Sequence, residues 1–303
     1  MRNRRNNTVI LFCFLTAINL LIFFYRDHFI YHEYGNYSSL YTPDTLAWKR
    51  LIDDYPKREL DEAKNILDHS INIKGQPASF KIQEIGKFLY NRFHKQTGKA
   101  SHLLAASPLQ QYKILTSSDS VTLWCGNFAD MFVFFCWAEG IPSRIVEIKN
   151  PRNHHVLNES YLPEKGEWVM TDVMNNHLLL WDQNSSRYEN LLGLRDSTPV
   201  TLVSRQAADD SVITQPFQNH FYDRFFGDKN PIYYYYQLNI PEIYRPAEKI
   251  KRYFLPVAWY VEVNPGSKDN RSFYIKQFFI LLWLISLILL ITRIIRPKKS
   301  RVS

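Results

Sequence analysis

The chain has 303 residues, 46% of them hydrophobic and 22% charged, so extensive disorder is excluded and one large or two modest domains are expected. The formal net charge of +8 equals the charge of the two chain ends, since residues 1–7 carry three arginines and residues 293–303 carry five basic residues without an acidic one. The body between these ends is neutral, which argues against nucleic-acid binding.

The basic ends flank two apolar segments. Residues 8–25 are uncharged and would reach about 27 Å as a helix, just enough to cross a hydrocarbon core. Residues 275–295 form a second span if Arg293 extends to the membrane interface. A cleaved signal peptide is the alternative for the first segment, although no small-residue cleavage site follows it. A buried core helix is the alternative for the second.

The flanking charges also predict a topology. Because cationic flanks stay in the cytoplasm, residues 1–7 and 296–303 are expected to be cytoplasmic and residues 26–274 extracytoplasmic. A bacterial origin is favoured, which places the spans in an inner membrane and the main domain in the periplasm. The lipid bilayer is therefore an expected partner, and two spans are compatible with further membrane-protein partners.

Within the body, helical periodicity precedes strand periodicity. Residues 57–70 and 80–95 show helical spacing, and residues 123–139 predict a strongly apolar helix ended by Gly140 and Pro142. Five alternating, strand-like segments follow: SRIVEI, HVLNESYL, EWVMTDV, PIYYYYQLNIP and FLPVAWYVEVNP. The second and third are joined by PEKG as a hairpin. This order predicts an α+β fold with a mostly antiparallel sheet.

The four consecutive tyrosines at positions 233–236 allow two interpretations. Their rings could stack on sugars or peptides. The favoured interpretation is a strand of high β propensity, with two rings facing inward and two outward.

Two of the three cysteines lie on the predicted helix 123–139. Cys125 and Cys136 would be separated by about 16 Å of helical rise, too far for a disulfide. Cys136 lies among aromatic residues in mid-helix and is interpreted as a buried apolar residue. Cys125 lies at the helix start, where free N–H groups and the helix dipole favour a thiolate. It is the candidate nucleophile, and an ordinary buried cysteine is the alternative.

A nucleophilic cysteine needs a base and a group that orients the base. His155 and Asp172 are placed symmetrically about the PEKG turn, so a tight hairpin brings them side by side. A one-residue slip in register would separate them. His154 is expected to leave the other face of the strand. A zinc site from His154, His155 and His177 is disfavoured because adjacent histidines on a strand diverge.

Together, these segments resemble the transglutaminase-like superfamily, which has a papain-like fold. WCGNFADMFVFFCWAEGIPSRIVEI is similar to the family's cysteine helix and following strand. HVLNESYLPEKGEWVMTDV is similar to its second motif, whose conserved types fall here at His155, Glu159, Trp168 and Asp172. Glu159 and Trp168 are interpreted as structural. The resemblance implies a core over about residues 57–200 and a strand-rich extension over about residues 201–272.

The resemblance further implies a Cys125, His155 and Asp172 triad that forms an acyl-enzyme on amide or peptide bonds. Hydrolysis is expected over transamidation because the domain would face water. Protein, peptide or cell-wall peptide substrates are expected, without a cofactor or metal. For the oxyanion hole, the backbone N–H of Cys125 is preferred as the donor over the side chains of Gln110 and Gln111. The competing interpretations are a non-catalytic module that binds peptide or glycan at the membrane surface, and a structural spacer.

Overall fold

The computed structural model describes residues 2–34, 40–41, 55–98, 103, 106–196, 201–218, 220–226, 230–235, 253–256, 260–263 and 269–295. The helices of this part are α1 Arg2–Phe24, α2 Lys57–Ser70, α3 Ala78–Phe93, α4 Pro108–Ser117, α5 Cys125–Ala138, α6 Leu191–Asp196, α7 His220–Asp223 and α8 Arg271–Ile295. The strands are β1 Glu33–Tyr34, β2 Ser143–Lys149, β3 His154–Leu162, β4 Glu167–Thr171, β5 Leu179–Asp182, β6 Arg187–Tyr188, β7 Leu202–Ala208, β8 Ser211–Pro216, β9 Ile232–Tyr235 and β10 Tyr260–Val263.

The chain divides into two compact units. The smaller unit holds α1 and α8, and the larger unit holds the other helices and all ten strands named above. Their bounds are Met1–His32, Ile250–Ala258 and Ser267–Ser303 for the smaller unit, and Glu33–Lys249 and Trp259–Gly266 for the larger one.

In the smaller unit, α1 and α8 are each long and apolar enough to cross a membrane. Side chains link the two helices: the Trp283 indole N–H donates to Thr16 Oγ1 at 2.9 Å, and Asn19 Nδ2 donates to the Phe279 carbonyl at 3.3 Å. The two helices flank the larger unit in sequence, an arrangement that suggests membrane anchoring. The predicted basic tail 296–303 lies outside the described residues.

The larger unit is built on a six-stranded sheet in the order β1-β10-β9-β2-β3-β4. Its neighbouring strands are antiparallel except β1 and β10, which are parallel. Helix α5 lies against β3, where Asn158 Nδ2 donates to the Ala129 carbonyl at 3.1 Å. Helices α2, α3 and α4 pack around α5. The predicted α+β fold is therefore confirmed.

Apolar burial fixes α5 in place. Its residues from Met131 to Trp137 are all buried, so the helix has no solvent-facing stripe over that stretch. Gly140 adopts a φ of +73° shortly after the helix, a conformation that glycine tolerates best.

The sequence did not predict α4, which starts after Ser107. The Ser107 side chain caps the helix by accepting the Gln110 N–H at 3.3 Å.

The β3–β4 hairpin differs from the expected register. Leu162 pairs with Glu167, so the loop consists of residues 163–166 and its centre lies one position later than expected. Continuing this register places Leu157, not His155, opposite Asp172. Because a shift of two residues preserves the face of a strand, His155 and Asp172 remain diagonal neighbours.

A second, four-stranded sheet has the order β6-β5-β7-β8. Since Leu179 of β5 pairs with Arg205 of β7, this sheet combines strands from both sides of residue 200.

In the main sheet, Tyr234 of β9 is buried while Tyr233 and Tyr235 are half-buried. The favoured strand interpretation of the tyrosine run holds for these three residues, and Tyr236 lies outside the described residues.

Candidate active site

Cys125 is the first residue of α5, and side chains around it fix where the helix starts. Asn127 Oδ1 accepts the Trp124 N–H at 3.0 Å, and Asn127 Nδ2 donates to Gln111 Oε1 at 2.9 Å. Cys125 itself is 9% exposed. Its sulfur therefore lies at the edge of the core, beside the N–H groups that a helix start leaves without intrahelical partners.

One imidazole connects this cysteine to the hairpin. His155 Nε2 lies 2.6 Å from Asp172 Oδ2, and both side chains are buried. The Cys125 side chain interacts with the same imidazole closely enough to raise the pKa of His155. Because Nε2 faces the carboxylate, Nδ1 is the nitrogen available to the sulfur. The structure thus brings together the three residues that the sequence singled out.

The electrostatics of this cluster favour an ion pair. Burial lowers the pKa of His155, but the charge and hydrogen bond of Asp172, together with Cys125, outweigh it and raise this pKa to about 10. Burial raises the pKa of Asp172, but His155, Tyr222 and His177 oppose it, and the net effect lowers this pKa to about 2. The imidazolium–carboxylate pair is therefore retained through neutral pH.

Residues 77–173 match the model of the transglutaminase-like superfamily, and the cluster lies within them. This segment is similar to the core of that superfamily. A crystal structure from Cytophaga hutchinsonii, described as a "Putative Cysteine Protease", is similar to the chain with 20% identity and a TM-score of 0.30. The similarity covers 40% of each chain, so this chain spans two fifths of that structure's length. A search of curated proteins gives no match.

The matched segment ends one residue after Asp172, and two further side chains hydrogen-bond to that carboxylate. Tyr222 O–H donates to Asp172 Oδ2 at 2.6 Å, and Asn175 Nδ2 donates to the same oxygen at 2.7 Å. Sequence reasoning missed both residues. The Asn-Asn turn after Asp172 was a local signal for Asn175, whereas no sequence pattern pointed to Tyr222.

The two glutamines considered for the oxyanion hole have other positions. Gln111 is buried on α4, where its Nε2 donates to the Ala106 carbonyl at 3.0 Å and its Oε1 accepts from Asn127. Gln111 therefore supports the start of α5. Gln110 is exposed. The backbone N–H of Cys125 remains the better oxyanion-donor candidate.

The other histidines occupy different environments. His154 is exposed while His155 is buried, so the two side chains diverge as expected. His177 exchanges two backbone hydrogen bonds with Asp172, at 2.6 and 2.9 Å, and its buried Nδ1 has no hydrogen-bond partner among the described residues. In the part of the chain that the structure describes, no three His, Cys, Asp or Glu side chains are grouped to hold a metal ion.

Cys136 has none of the features of the candidate site. It is fully buried in mid-helix, as predicted, and burial raises the pKa of its thiol to about 12. The three cysteines of the chain are unpaired. Because the thiolate is the reactive form, Cys136 is expected to be inert at neutral pH.

Proposed function

We propose that the chain is a membrane-anchored thiol enzyme that acts on amide or peptide bonds through Cys125, His155 and Asp172. The observation that carries the proposal is the buried imidazole of His155, which hydrogen-bonds to Asp172 and interacts electrostatically with Cys125. A nucleophile, a base and a group that orients the base are the parts that covalent acyl transfer requires.

In the first step, His155 Nδ1 takes the thiol proton of Cys125, and Asp172 stabilises the resulting imidazolium. The thiolate attacks the carbonyl carbon, and the Cys125 N–H at the start of α5 stabilises the oxyanion. When the tetrahedral intermediate collapses, the carbon–nitrogen bond breaks and the imidazolium protonates the departing amine. The acyl group remains on the sulfur as a thioester.

In the second step, His155 removes a proton from water, which attacks the thioester and releases a carboxylic acid and the thiol. An amine in place of water would give transamidation. Hydrolysis is the proposed outcome because the larger unit is proposed to lie outside the membrane, where water is abundant. The proposed substrates are proteins, peptides or cell-wall peptides.

Thiol labelling of the full chain in detergent tests the nucleophile. We expect iodoacetamide to label Cys125 at about pH 6, where an ordinary thiol is almost entirely protonated. Cys125→Ala should abolish this labelling. Cys136→Ala, the matched control, should preserve it while lowering the free energy of unfolding by about 1 kcal/mol. Mass spectrometry of tryptic peptides identifies the labelled residue.

Two outcomes would contradict the proposal. If Cys136→Ala removes the label and leaves the fold intact, the nucleophile is wrong. If Cys125 labels only at alkaline pH, as a free thiol does, the chain is better explained as a non-catalytic transglutaminase-like module that binds peptide or glycan.

We further propose that α1 and α8 span a bacterial inner membrane, with both chain ends in the cytoplasm and the larger unit outside. The basic residues of the two ends support this orientation. A reporter joined after Ser303 should therefore report the cytoplasm, and one inserted in the exposed turn 183–186 should report the outside. The same side for both reporters would show that one span is wrong.

A further inference from the structure

One oxygen of the Asp172 carboxylate accepts three hydrogen bonds. Oδ2 accepts hydrogen bonds from His155 Nε2, Tyr222 O–H and Asn175 Nδ2, at 2.6, 2.6 and 2.7 Å. Oδ1 accepts only the longer Asn175 N–H bond, at 3.3 Å, among the contacts of the described residues. Asp172 is 1% exposed, so protein donors replace water in stabilising its charge.

Packing fixes the Tyr222 ring so that its hydroxyl points at this oxygen. The ring stacks on Phe217 at a centroid distance of 5.7 Å and meets His177 at 6.1 Å. Phe217 is itself held to β7, because its N–H donates to the Leu202 carbonyl at 2.9 Å. Tyr222 is fully buried, so its hydroxyl is directed by the core and not by solvent.

Tyr222 lies well beyond residues 77–173, the segment that matches the transglutaminase-like superfamily. We infer that Tyr222 is a positioning residue, which holds the Asp172 carboxylate in the orientation that pairs it with His155. The extension after residue 200 thereby completes the site. This inference rests on the proposed function, because positioning matters only if His155 and Cys125 act together.

An aspartate carboxylate needs such positioning because rotation about its χ2 torsion is only weakly restricted. His155 alone would leave either oxygen of Asp172 free to rotate toward the ring. Two additional donors on Oδ2 select one oxygen and keep it ionised despite burial. Asn175 supplies one of these donors from the adjacent turn, and Tyr222 supplies the other from a distant segment.

The other titratable groups around Asp172 do not supply this effect. His177 is hydrogen-bonded to Asp172 through the backbone; its ring contributes electrostatically to the low pKa of Asp172, and burial lowers the pKa of that ring. Cys125 contributes to the raised pKa of His155. On α7, Asp223 is exposed, and the neighbouring Arg224 lies over the rings of Phe221 and Phe225, at 4.3 and 5.0 Å.

Tyr222→Phe tests the inference because it removes the hydroxyl and retains the ring. We expect the acid limb of the rate–pH profile for Cys125 alkylation by iodoacetamide to move upward by about one pH unit. Without this donor, the Asp172 carboxylate can rotate away from His155, which weakens the pairing that stabilises the imidazolium, so the thiolate forms only at higher pH. Asn175→Ala, which leaves the aromatic packing intact, should shift the limb in the same direction.

Tyr234→Phe is the matched control. It also removes a buried hydroxyl, which lies 2.7 Å from the Tyr41 hydroxyl, but that hydroxyl has no contact with the Asp172 carboxylate. Its alkylation profile should match the wild type. An unshifted profile for Tyr222→Phe, or an equal shift in Tyr234→Phe, would overturn the inference. A wild-type profile typical of a free thiol would instead overturn the proposed function, so the two failures are distinguishable.

Discussion

Replacing His155 with alanine is expected to slow the alkylation of Cys125 about a hundredfold or more at about pH 6, and far less at about pH 9. The reason is the imidazolium: burial lowers the pKa of His155, but Asp172 and Cys125 outweigh burial and raise this pKa to about 10. At about pH 6 a thiolate depends on that cation, whereas at about pH 9 an ordinary thiol ionises without help. Iodoacetamide labelling across this range, followed by mass spectrometry, measures the difference.

Two further variants separate the roles of neighbouring side chains. His154→Ala is the matched control, because its exposed side chain diverges from His155 and its removal should leave the profile unchanged. Asp172→Asn should retain the fold and some labelling but lose turnover by about three to four orders of magnitude, since the imidazole is left in the wrong tautomer. Control of the profile by His154 would exclude the proposed base.

The largest stability effect is expected for Arg144→Met. Arg144 Nε and Nη2 donate to Glu159 Oε2 at 3.0 and 2.5 Å, and both side chains are 0% exposed. The guanidinium also lies over the rings of Trp168 and Tyr234, at 4.0 and 4.6 Å. Removing the cation leaves a buried carboxylate without its counter-charge, which lowers the free energy of unfolding by about 3–5 kcal/mol.

Chemical denaturation of the full chain in detergent measures this effect. Lys113→Met is the matched control, since its ion pair with Glu62 is exposed and should contribute less than about 1 kcal/mol. The double variant Arg144→Met with Glu159→Leu should recover much of the loss, because it removes both buried charges. A loss below about 1 kcal/mol for Arg144→Met alone would contradict the assignment of Glu159 as a charged structural residue.

The parts of the site that were predictable have local signals. The apolar run between Cys125 and Gly140 predicts α5 to within two residues of its bounds, because burial demands a continuous apolar sequence there. The PEKG turn likewise predicts the β3–β4 hairpin. A cysteine at a helix start followed by a histidine and an aspartate around a hairpin was enough to select three residues that the structure brings together.

The register of the β3–β4 hairpin and the residues that support the site could be identified only from the structure. The exact pairing depends on loop length: because four residues, 163–166, form the loop, His155 lies two positions away from the residue opposite Asp172. Tyr222 contacts Asp172 across 50 positions of sequence, and such a contact is set by tertiary packing that no local pattern encodes. The ion pair of Glu159 with Arg144 was not predicted for the same reason, since Arg144 lies on the neighbouring strand β2.

The order of strands in the main sheet has a consequence for the synthesis of the protein. Strand β1 pairs with β10 through Glu33 and Val261, near opposite ends of the chain. Strand β2 pairs with β9, which is synthesised much later. Helices and the β3–β4 hairpin rest on shorter-range contacts and can form earlier, whereas closing such long loops is slow. During translation, we therefore expect β2 to remain an unpaired sheet edge until β9 has emerged, and an unpaired edge of this kind favours aggregation.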